Sequence, residues 1–170
     1  SHTFSLRKKF LFNDNYYDQN NDFRINENSM DNKQTEQIAG CILGVFLDVS
    51  CSNSKTVETL IRDPKRHKWM FYIMTLGVIP SFRQHGLATQ LIQNCFELME
   101  HVHNCGVIYL HVITYNAAAI QFYEKLGFQR MEEIQDYYQI NGKKHNCFLY
   151  AKFLNGNGFY FSFLLTSIWE

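Results

Sequence analysis

The fold is decided by one stretch of sequence, Met70-Phe-Tyr-Ile-Met-Thr-Leu-Gly-Val-Ile79, with Pro80 and the turn Arg83-Gln84-His85-Gly86-Leu87-Ala88 behind it. The first part is an apolar segment typical of a β-strand, and Pro80 ends it. After the turn, apolar residues recur with the period of a helix and fall on one face: Leu87, Leu91, Ile92, Cys95, Leu98, Met99 and Val102. The stretch therefore predicts a strand, a basic glycine-containing turn and a long helix.

The turn has the properties of an anion site. The first N–H groups of a helix have no partner inside the helix, and the helix dipole adds partial positive charge there. Gly86 and Ala88 leave this backbone uncovered, so a phosphate can approach it closely. The turn is neither a P-loop nor a dinucleotide fingerprint, since the required glycine and lysine spacings are absent. An ordinary strand-to-helix connection remains the alternative.

Composition restricts the classes of function. The chain has 170 residues, enough for one domain with a sizeable core, and equal numbers of basic and acidic residues, 16 of each. We expect no nucleic-acid partner, because no stripe of Lys and Arg alternates with stacking aromatics. The five cysteines have no C-x-x-C spacing, which argues against a disulfide framework and a zinc site and favours a cytoplasmic location. We predict no metal.

Three parts of the chain differ in character. Residues 1–36 are rich in asparagine and predict a poorly ordered segment with at most a short helix at Phe10 to Tyr17. Residues 37–154 have regular patterns and form the predicted domain. Residues 155–170 are an apolar tail, too short to cross a bilayer. The tail either packs on the domain or a partner, or lies in a membrane interface, with Tyr160 and Trp169 at the headgroups.

The regular part predicts the order β-β-α-β-α-β-β, a mixed sheet with covering helices. The second helix has an N-cap at Asn116 and a C-terminal glycine at Gly127. Ser50 to Lys68 is polar, contains Pro64 and is interpreted as a long connection. The remaining predicted elements are strands at Ile38 to Val49, Trp69 to Ile79 and Val107 to Thr114, the long helix within Phe82 to Asn104, and a hairpin of Phe128 to Ile140 and Cys147 to Phe153.

Four motifs together resemble the GNAT acetyltransferase superfamily. Arg83, Gly86 and Ala88 match its acetyl-CoA signature, Arg/Gln-x-x-Gly-x-Gly/Ala. A second signature is matched by Asn116, Ala119, Phe122-Tyr123 and Gly127-Phe128. His111 stands in the middle of a buried strand, and Tyr137-Tyr138 lie near the mouth of the hairpin. The resemblance covers about Ile38 to Gly156 and implies an α/β, mostly antiparallel GNAT-like sheet flanked by helices.

One branch is especially similar, the catalytic subunits of the protein Nα-acetyltransferases NatE and NatF. Tyr72-Ile-Met-Thr-Leu-Gly77, Ile108-Tyr-Leu-His-Val112 and Tyr137-Tyr138 resemble both, and the Ile140-Asn-Gly loop favours NatF. The resemblance implies acetyl transfer from acetyl-CoA to the free α-amino group of N-terminal peptides that retain Met, directly in a ternary complex. The family's first strand and helix are expected to have no counterpart upstream of Phe12, so the chain is shortened or completed by a second copy, a homodimer.

The resemblance also implies roles for single residues. Tyr72 and His111 are the general-base pair flanking one water, and Tyr123 protonates the departing thiolate. Met74, Tyr137 and Tyr138 contact the peptide. Acetyl-CoA is bound by the strand end Leu76, Gly77 and Val78, by the turn and helix start Arg83, Gln84, His85, Gly86, Leu87, Ala88 and Thr89, and by Asn116 and Tyr123.

Alternatives stay open for function and for single residues. A lysine or small-amine acetyltransferase, or a CoA-binding module without turnover, is compatible with the same motifs. His111 can be a buried core histidine, and Tyr72, Tyr123, Tyr137 and Tyr138 can be packing aromatics. Strand alternation predicts that Tyr137 and Tyr138 point in opposite directions. We expect a cytoplasmic protein, on the cytosolic face of an organelle membrane if the tail contacts lipid.

Overall fold

The structure is a computed structural model and describes residues 2–10 and 37–157. A six-stranded sheet has the order β1-β2-β3-β4-β6-β5. Its strands are β1 (His2–Phe10), β2 (Gln37–Asp48), β3 (Trp69–Val78), β4 (Cys105–Ile113), β5 (Gln129–Ile140) and β6 (Lys143–Phe153). The α-helices are α1 (Ser54–Leu60), α2 (Leu87–Glu100) and α3 (Ala117–Lys125), and short 3-10 turns cover Val49–Cys51 and Pro80–Phe82.

The sheet is mixed and mostly antiparallel, as predicted. β1 with β2, β2 with β3, β4 with β6 and β5 with β6 are antiparallel, whereas β3 and β4 run parallel. The parallel pairing extends from Trp69 with Cys105 to Tyr72 with Tyr109 and then stops, although both strands continue. The β2–β3 register also shifts here, where Met74 is the extra residue of a bulge. The two central strands therefore separate into a cleft.

The core lies on both faces of the sheet. The predicted apolar face of α2 is buried at Leu87, Leu91, Ile92, Cys95 and Met99. β4 is buried at every residue from Cys105 to Leu110, which confirms the predicted central strand. Fully burying one side chain such as Ile92 stabilises the fold by about 1.5–3 kcal/mol. The core therefore holds α2 rigidly against the strands that border the cleft.

Gly44 allows β2 to pack against the core. A Cβ at this position would stand 2.3 Å from the Phe71 ring, and Phe71 is 1% exposed. A glycine inside a strand often marks a bulge, and the register of β2 with β3 shifts between Leu43 and Gly44. The aromatic ring fills the space that a side chain would otherwise take.

Two elements differ from the sequence analysis. The segment 1–36 was predicted to be poorly ordered, with no strand upstream of Phe12, but His2–Phe10 forms β1 against β2. Its alternating residues are a weak signal in only nine positions, and pairing with β2 provides the stability. Ser50 to Lys68 was expected to be a plain connection, but it contains α1, capped by the Asn53 side chain.

Several predictions lie outside the described residues, namely the short helix within Phe10 to Tyr17 and most of the tail. At the start of the tail, Asn157 is 1% exposed. Its side chain donates to Leu60 O and Gly106 O and accepts from Arg62 N. These bonds join the end of β6 to α1. Among the helices in the described ranges, none has the length and apolar character needed to span a membrane.

Candidate active site

The gap between β3 and β4 is a cleft of about 400 Å³. Predicted site residues line it, namely Met74, Leu76, His111, Asn116, Tyr123 and Tyr138. Tyr115 and Ile140 also line it and were not predicted, although Tyr115 directly precedes the capping residue of α3. A second hollow of about 460 Å³ lies beside Asp48, Glu58 and Lys68, and none of the predicted site residues is among those that line it. The cleft is therefore the candidate active site.

One end of the candidate site, which we call the helix-start end, comprises Arg83 to Thr89. These residues follow β3 and are not among those that line the cleft itself. Gly86 is the N-cap of α2 with φ of 76°, and no side chain caps the helix. The first amides, from Leu87 to Thr89, are therefore available to an anion. Apart from Gly86 itself and its two chain neighbours, no heavy atom in the described part of the chain lies within 4 Å of a Cβ built on Gly86. Arg83 Nε donates to Val78 O at 3.1 Å, which ties the turn to the end of β3.

The strand end Leu76 to Val78 faces the cleft with one backbone edge. Its other edge pairs with β2, where Leu76 is opposite Ile42 and Val78 opposite Gly40. A Cβ on Gly77 would also stand in open space with respect to the described residues. Unpaired strand groups are able to bond an extended ligand, as an added strand would. This edge leads from the helix-start end towards His111.

The other end of the site, which we call the histidine end, comprises Tyr72, His111, Tyr137 and Tyr138. His111 Nδ1 lies 3.2 Å from the Tyr72 hydroxyl and 3.2 Å from the Tyr137 hydroxyl. The Tyr137 ring stacks on the imidazole, with centroids 4.4 Å apart. Burial lowers the pKa of His111 to about 4. The imidazole is therefore neutral at physiological pH and able to accept a proton.

The Tyr72 hydroxyl contacts His111 directly, and the water that the two residues were predicted to flank stays a prediction. Burial is the largest cause that raises the pKa of Tyr72 above its usual range, and the hydrogen bond with Tyr137 is the next largest. Its hydroxyl therefore stays protonated at neutral pH. The structure brings the predicted pair together, while the assignment of both as a base stays a prediction.

Tyr137 and Tyr138 do not point in opposite directions, which corrects the expectation from strand alternation. Tyr137 reaches His111 Nδ1, and the Tyr138 hydroxyl donates to His111 O at 3.3 Å. The reason is a bulge between Ile134 and Tyr138, where Asp136 has φ of 56°. Their predicted contact with a peptide stays a prediction.

Tyr123 lines the cleft from α3 and is 8% exposed. Burial raises its pKa to about 12, with a smaller contribution from Tyr138, so the hydroxyl keeps its proton at neutral pH. Asn116 accepts a hydrogen bond from Ala119 N at 3.2 Å, as the predicted helix cap. The roles of both residues towards acetyl-CoA stay predictions.

The buried thiols argue against a covalent cysteine intermediate. Burial raises the pKa of Cys95 and of Cys105 to about 11. A thiolate is the nucleophilic form, and neither residue forms one readily at neutral pH. This agrees with the predicted direct transfer.

Comparisons with known proteins find relatives among acetyltransferases. The curated histone acetyltransferase MCC1 of Arabidopsis thaliana is 29% identical over 133 residues, which cover 77% of this chain and 53% of that protein. N-alpha-acetyltransferase 60 of Danio rerio is 39% identical over 90 residues, which cover 50% of this chain and 36% of that protein. The chain thus spans about half, or less, of the length of these relatives.

Solved structures are similar as well. The crystal structure of Arabidopsis thaliana NAA60 in complex with acetyl-CoA matches with a TM-score of 0.64 and 30% identity, covering 71% of this chain and 68% of that chain. Arabidopsis thaliana Naa50 in complex with the bisubstrate analogue CoA-Ac-MVNAL matches with a TM-score of 0.52 and 31% identity, covering 67% and 64%. The model of the acetyltransferase (GNAT) family matches residues 3–128. The chain belongs to the acetyltransferase (GNAT) family.

Proposed function

We propose that this protein transfers an acetyl group from acetyl-CoA to the free α-amino group of N-terminal peptides that retain Met. The observation that carries the proposal is the His111 imidazole, which is neutral and bonded at Nδ1 by tyrosine hydroxyls beside a cleft. The cleft leads along β3 to an uncovered helix start. The NAA60 structure that holds acetyl-CoA and the Naa50 structure that holds CoA-Ac-MVNAL support this assignment.

The residues fit acetyl-CoA, which supplies the acetyl group as an activated thioester. The amides at the start of α2 would hold phosphate, and the free edge of β3 would orient the extended arm. His111 would take the proton that the amine loses, through its Nε2 atom or one water, in the tautomer whose Nδ1–H donates to the hydroxyl oxygen of Tyr72 or Tyr137. Tyr123 would protonate the thiolate of the departing CoA. Positioning and dipoles contribute most of the rate, and the base about a hundredfold or more.

The electrostatics favour an α-amine over lysine. An α-amino group has a pKa of about 7.7–8.0, so a sizeable fraction is neutral at neutral pH, whereas lysine, at about 10.4, is almost wholly protonated. His111 has a pKa of about 4 and is too weak a base to deprotonate a lysine readily. Lysine acetylation remains the second candidate, because one relative is named a histone acetyltransferase.

A substrate panel tests the proposal. The purified chain is incubated with acetyl-CoA and three amines, namely peptides with a free N-terminal Met before an apolar or basic residue, N-terminally blocked peptides with lysine, and a polyamine. We expect acetylation of the free N-termini, with loss of product in His111→Gln. Product on lysine or polyamine alone would refute the α-amine assignment. Binding of CoA without any product would indicate a non-catalytic module.

The proposal extends to partners and location. Residues 158–170 of the apolar tail support contact with a membrane interface on the cytosolic face of an organelle membrane, and the homodimer that the family resemblance implied stays part of the proposal. Cosedimentation with liposomes tests the first part. The truncated control ends after Asn157, because the Asn157 side chain is buried and bonded. Equal recovery of the full and truncated chains in the supernatant would refute the membrane contact. A monomer in analytical ultracentrifugation would refute the homodimer.

A further inference from the structure

One residue of β6 stands opposite three residues of β5. Ile134 pairs with Cys147, and the next registered pair is Tyr138 with His145. Between them lie Gln135 to Tyr137 on β5 and Asn146 alone on β6. Regular strand pairing is therefore interrupted here, and the backbone groups of the bulge need other partners.

The Asn146 side chain supplies a partner for one of these backbone groups and bonds two side chains of β5. Its Oδ1 accepts from Asp136 N at 3.1 Å, and its Nδ2 donates to Gln135 Oε1 at 2.6 Å and Glu133 Oε1 at 2.9 Å. Its backbone oxygen accepts from Thr114 N at 3.1 Å, next to the end of β4. The carboxamide thus spans the bulge with both its acceptor and its donor.

The bulge determines where the tyrosines of the histidine end lie. Asp136 has φ of 56°, in the left-handed region that few residues other than glycine adopt. In an uninterrupted strand Tyr137 and Tyr138 would face opposite sides of the sheet. Here both hydroxyls reach His111, one at Nδ1 and one at the backbone oxygen.

We infer that Asn146 is a positioning residue, which holds the β5 bulge and thereby brings both tyrosine hydroxyls to His111. The inference deepens the proposed function and rests on it for its kinetic consequence. The Lys144–Asp136 ion pair also touches the bulge, but both side chains are exposed. That pair holds one side chain of the bulge, whereas the Asn146 side chain makes three bonds to β5, one of them to the Asp136 backbone, so Asn146 provides the main hold.

The experiment compares the unmutated chain with Asn146→Ala, the near-isosteric Asn146→Asp, Asn146→Asp with Glu133→Gln, and the control Lys144→Ala. The ¹⁵N signals of the His111 ring, assigned with His111→Gln, report its environment without turnover. Acetyl transfer gives kcat and KM. Tyr137→Phe, alone and combined with Asn146→Ala, completes a double-mutant cycle.

We expect Asn146→Ala to shift the His111 signals in the same direction as Tyr137→Phe. It should lower kcat about ten- to a hundredfold with little change in KM for acetyl-CoA, because the base is misplaced while the helix-start end is intact. Asn146→Asp loses the donors and repels Glu133, so kcat falls. Adding Glu133→Gln restores most of kcat, since a carboxamide then donates to the new carboxylate. The kcat of Lys144→Ala should stay within about twofold of that of the unmutated chain.

Unmoved His111 signals in Asn146→Ala, additive effects with Tyr137→Phe, or no rescue by Glu133→Gln would each overturn the inference. If Asn146→Ala does not fold, Asn146→Asp with and without Glu133→Gln provides the test, through the shift of the His111 signals and the rescue of kcat. If the unmutated chain acetylates no amine, the proposed function fails, and the ¹⁵N signals alone then support or refute the role of Asn146.

Discussion

The two ends of the cleft are built from different groups. The helix-start end is a single run of seven residues, mostly exposed, that presents backbone amides beside a glycine. The histidine end collects side chains from β3, β4 and β5, which are half-buried except for the exposed Tyr137 and are joined by hydrogen bonds to His111. A ligand at the first end contacts mainly the main chain, whereas the second end acts through its side chains.

This difference separates binding from chemistry. The helix-start end depends on local backbone shape, so most side-chain changes there should leave it functional. The histidine end depends on strand register, on burial and on partners distant in sequence. Substitutions should accordingly divide into those that change affinity for CoA and those that change the rate of transfer.

The largest expected effect is at His111. His111→Gln should lower kcat about a hundredfold or more, because the proton acceptor is lost. The dissociation constant of CoA should change by less than about threefold, since the helix-start end is untouched. Steady-state transfer to a Met-initiated peptide and calorimetric titration of CoA measure the two quantities. A parallel loss of CoA affinity would contradict the separation of the two ends.

Next in size is Gly86→Val, which should weaken CoA binding about tenfold or more, with kcat at saturation little changed. The valine Cβ would occupy the space that a phosphate needs, and the left-handed φ adds strain. Gly142→Val is the matched control, because Gly142 also has φ of 76° and open surroundings among the described residues. Equal weakening in both variants would mean that strain alone explains the effect.

Tyr72→Phe should reduce kcat by about fivefold, because the variant loses one hydrogen bond and a net free energy of about 1 kcal/mol corresponds to a factor of this size. Tyr137 still contacts Nδ1 in this variant, so the double change Tyr72→Phe with Tyr137→Phe should exceed the product of the single effects. Tyr150→Phe removes a hydroxyl bonded to Glu124 and serves as the control, with lower stability and unchanged kcat. Multiplicative single effects would show that the two hydroxyls act independently.

The smallest expected effect concerns stability against pH. His111 has a pKa of about 4 in the fold and 6.5 as its ordinary value, so the unfolded state binds more protons between these values. Stability should rise with pH through this window and level off above it. His67 is 1% exposed, and burial lowers its pKa too. Its titration therefore also makes the stability of the fold rise with pH.

Allowing for partial exposure of the ring, acidification from pH 7 to 4.5 should remove on the order of 1–2 kcal/mol through His111. Urea unfolding of the unmutated chain and of His111→Gln across this range measures the difference in slope. Identical slopes would show that the imidazole titrates normally in the fold.

Local signals made much of the fold predictable. Asn116 and Gly127 delimit α3, and the structure has the Asn116 side chain on Ala119 N and Gly127 at φ of 82°. Helix α1 was not predicted, because it is only seven residues long and lies in a polar stretch that contains Pro64. Its N-cap residue Asn53 could have been recognised from the sequence as a typical helix cap. The residues of the GNAT motifs indicated which side chains lie in the cleft.

The arrangement of those side chains was not predictable. Strand alternation is a local rule, and the bulge at Asp136 depends on Asn146, ten residues away across a hairpin. The direct contact of Tyr72 with His111 likewise depends on where the parallel pairing of β3 and β4 stops. Such contacts arise from the tertiary register, which no periodicity in a single segment encodes.

Gly44 has a consequence for any survey of variants in this protein. Because a methyl group there would overlap the Phe71 ring, even alanine must push an aromatic residue out of the interior. A scan scored by product yield would rank position 44 beside His111, although Gly44 lies on β2 and not among the residues that line the cleft. Scoring protein abundance in parallel would assign the two positions to different defects.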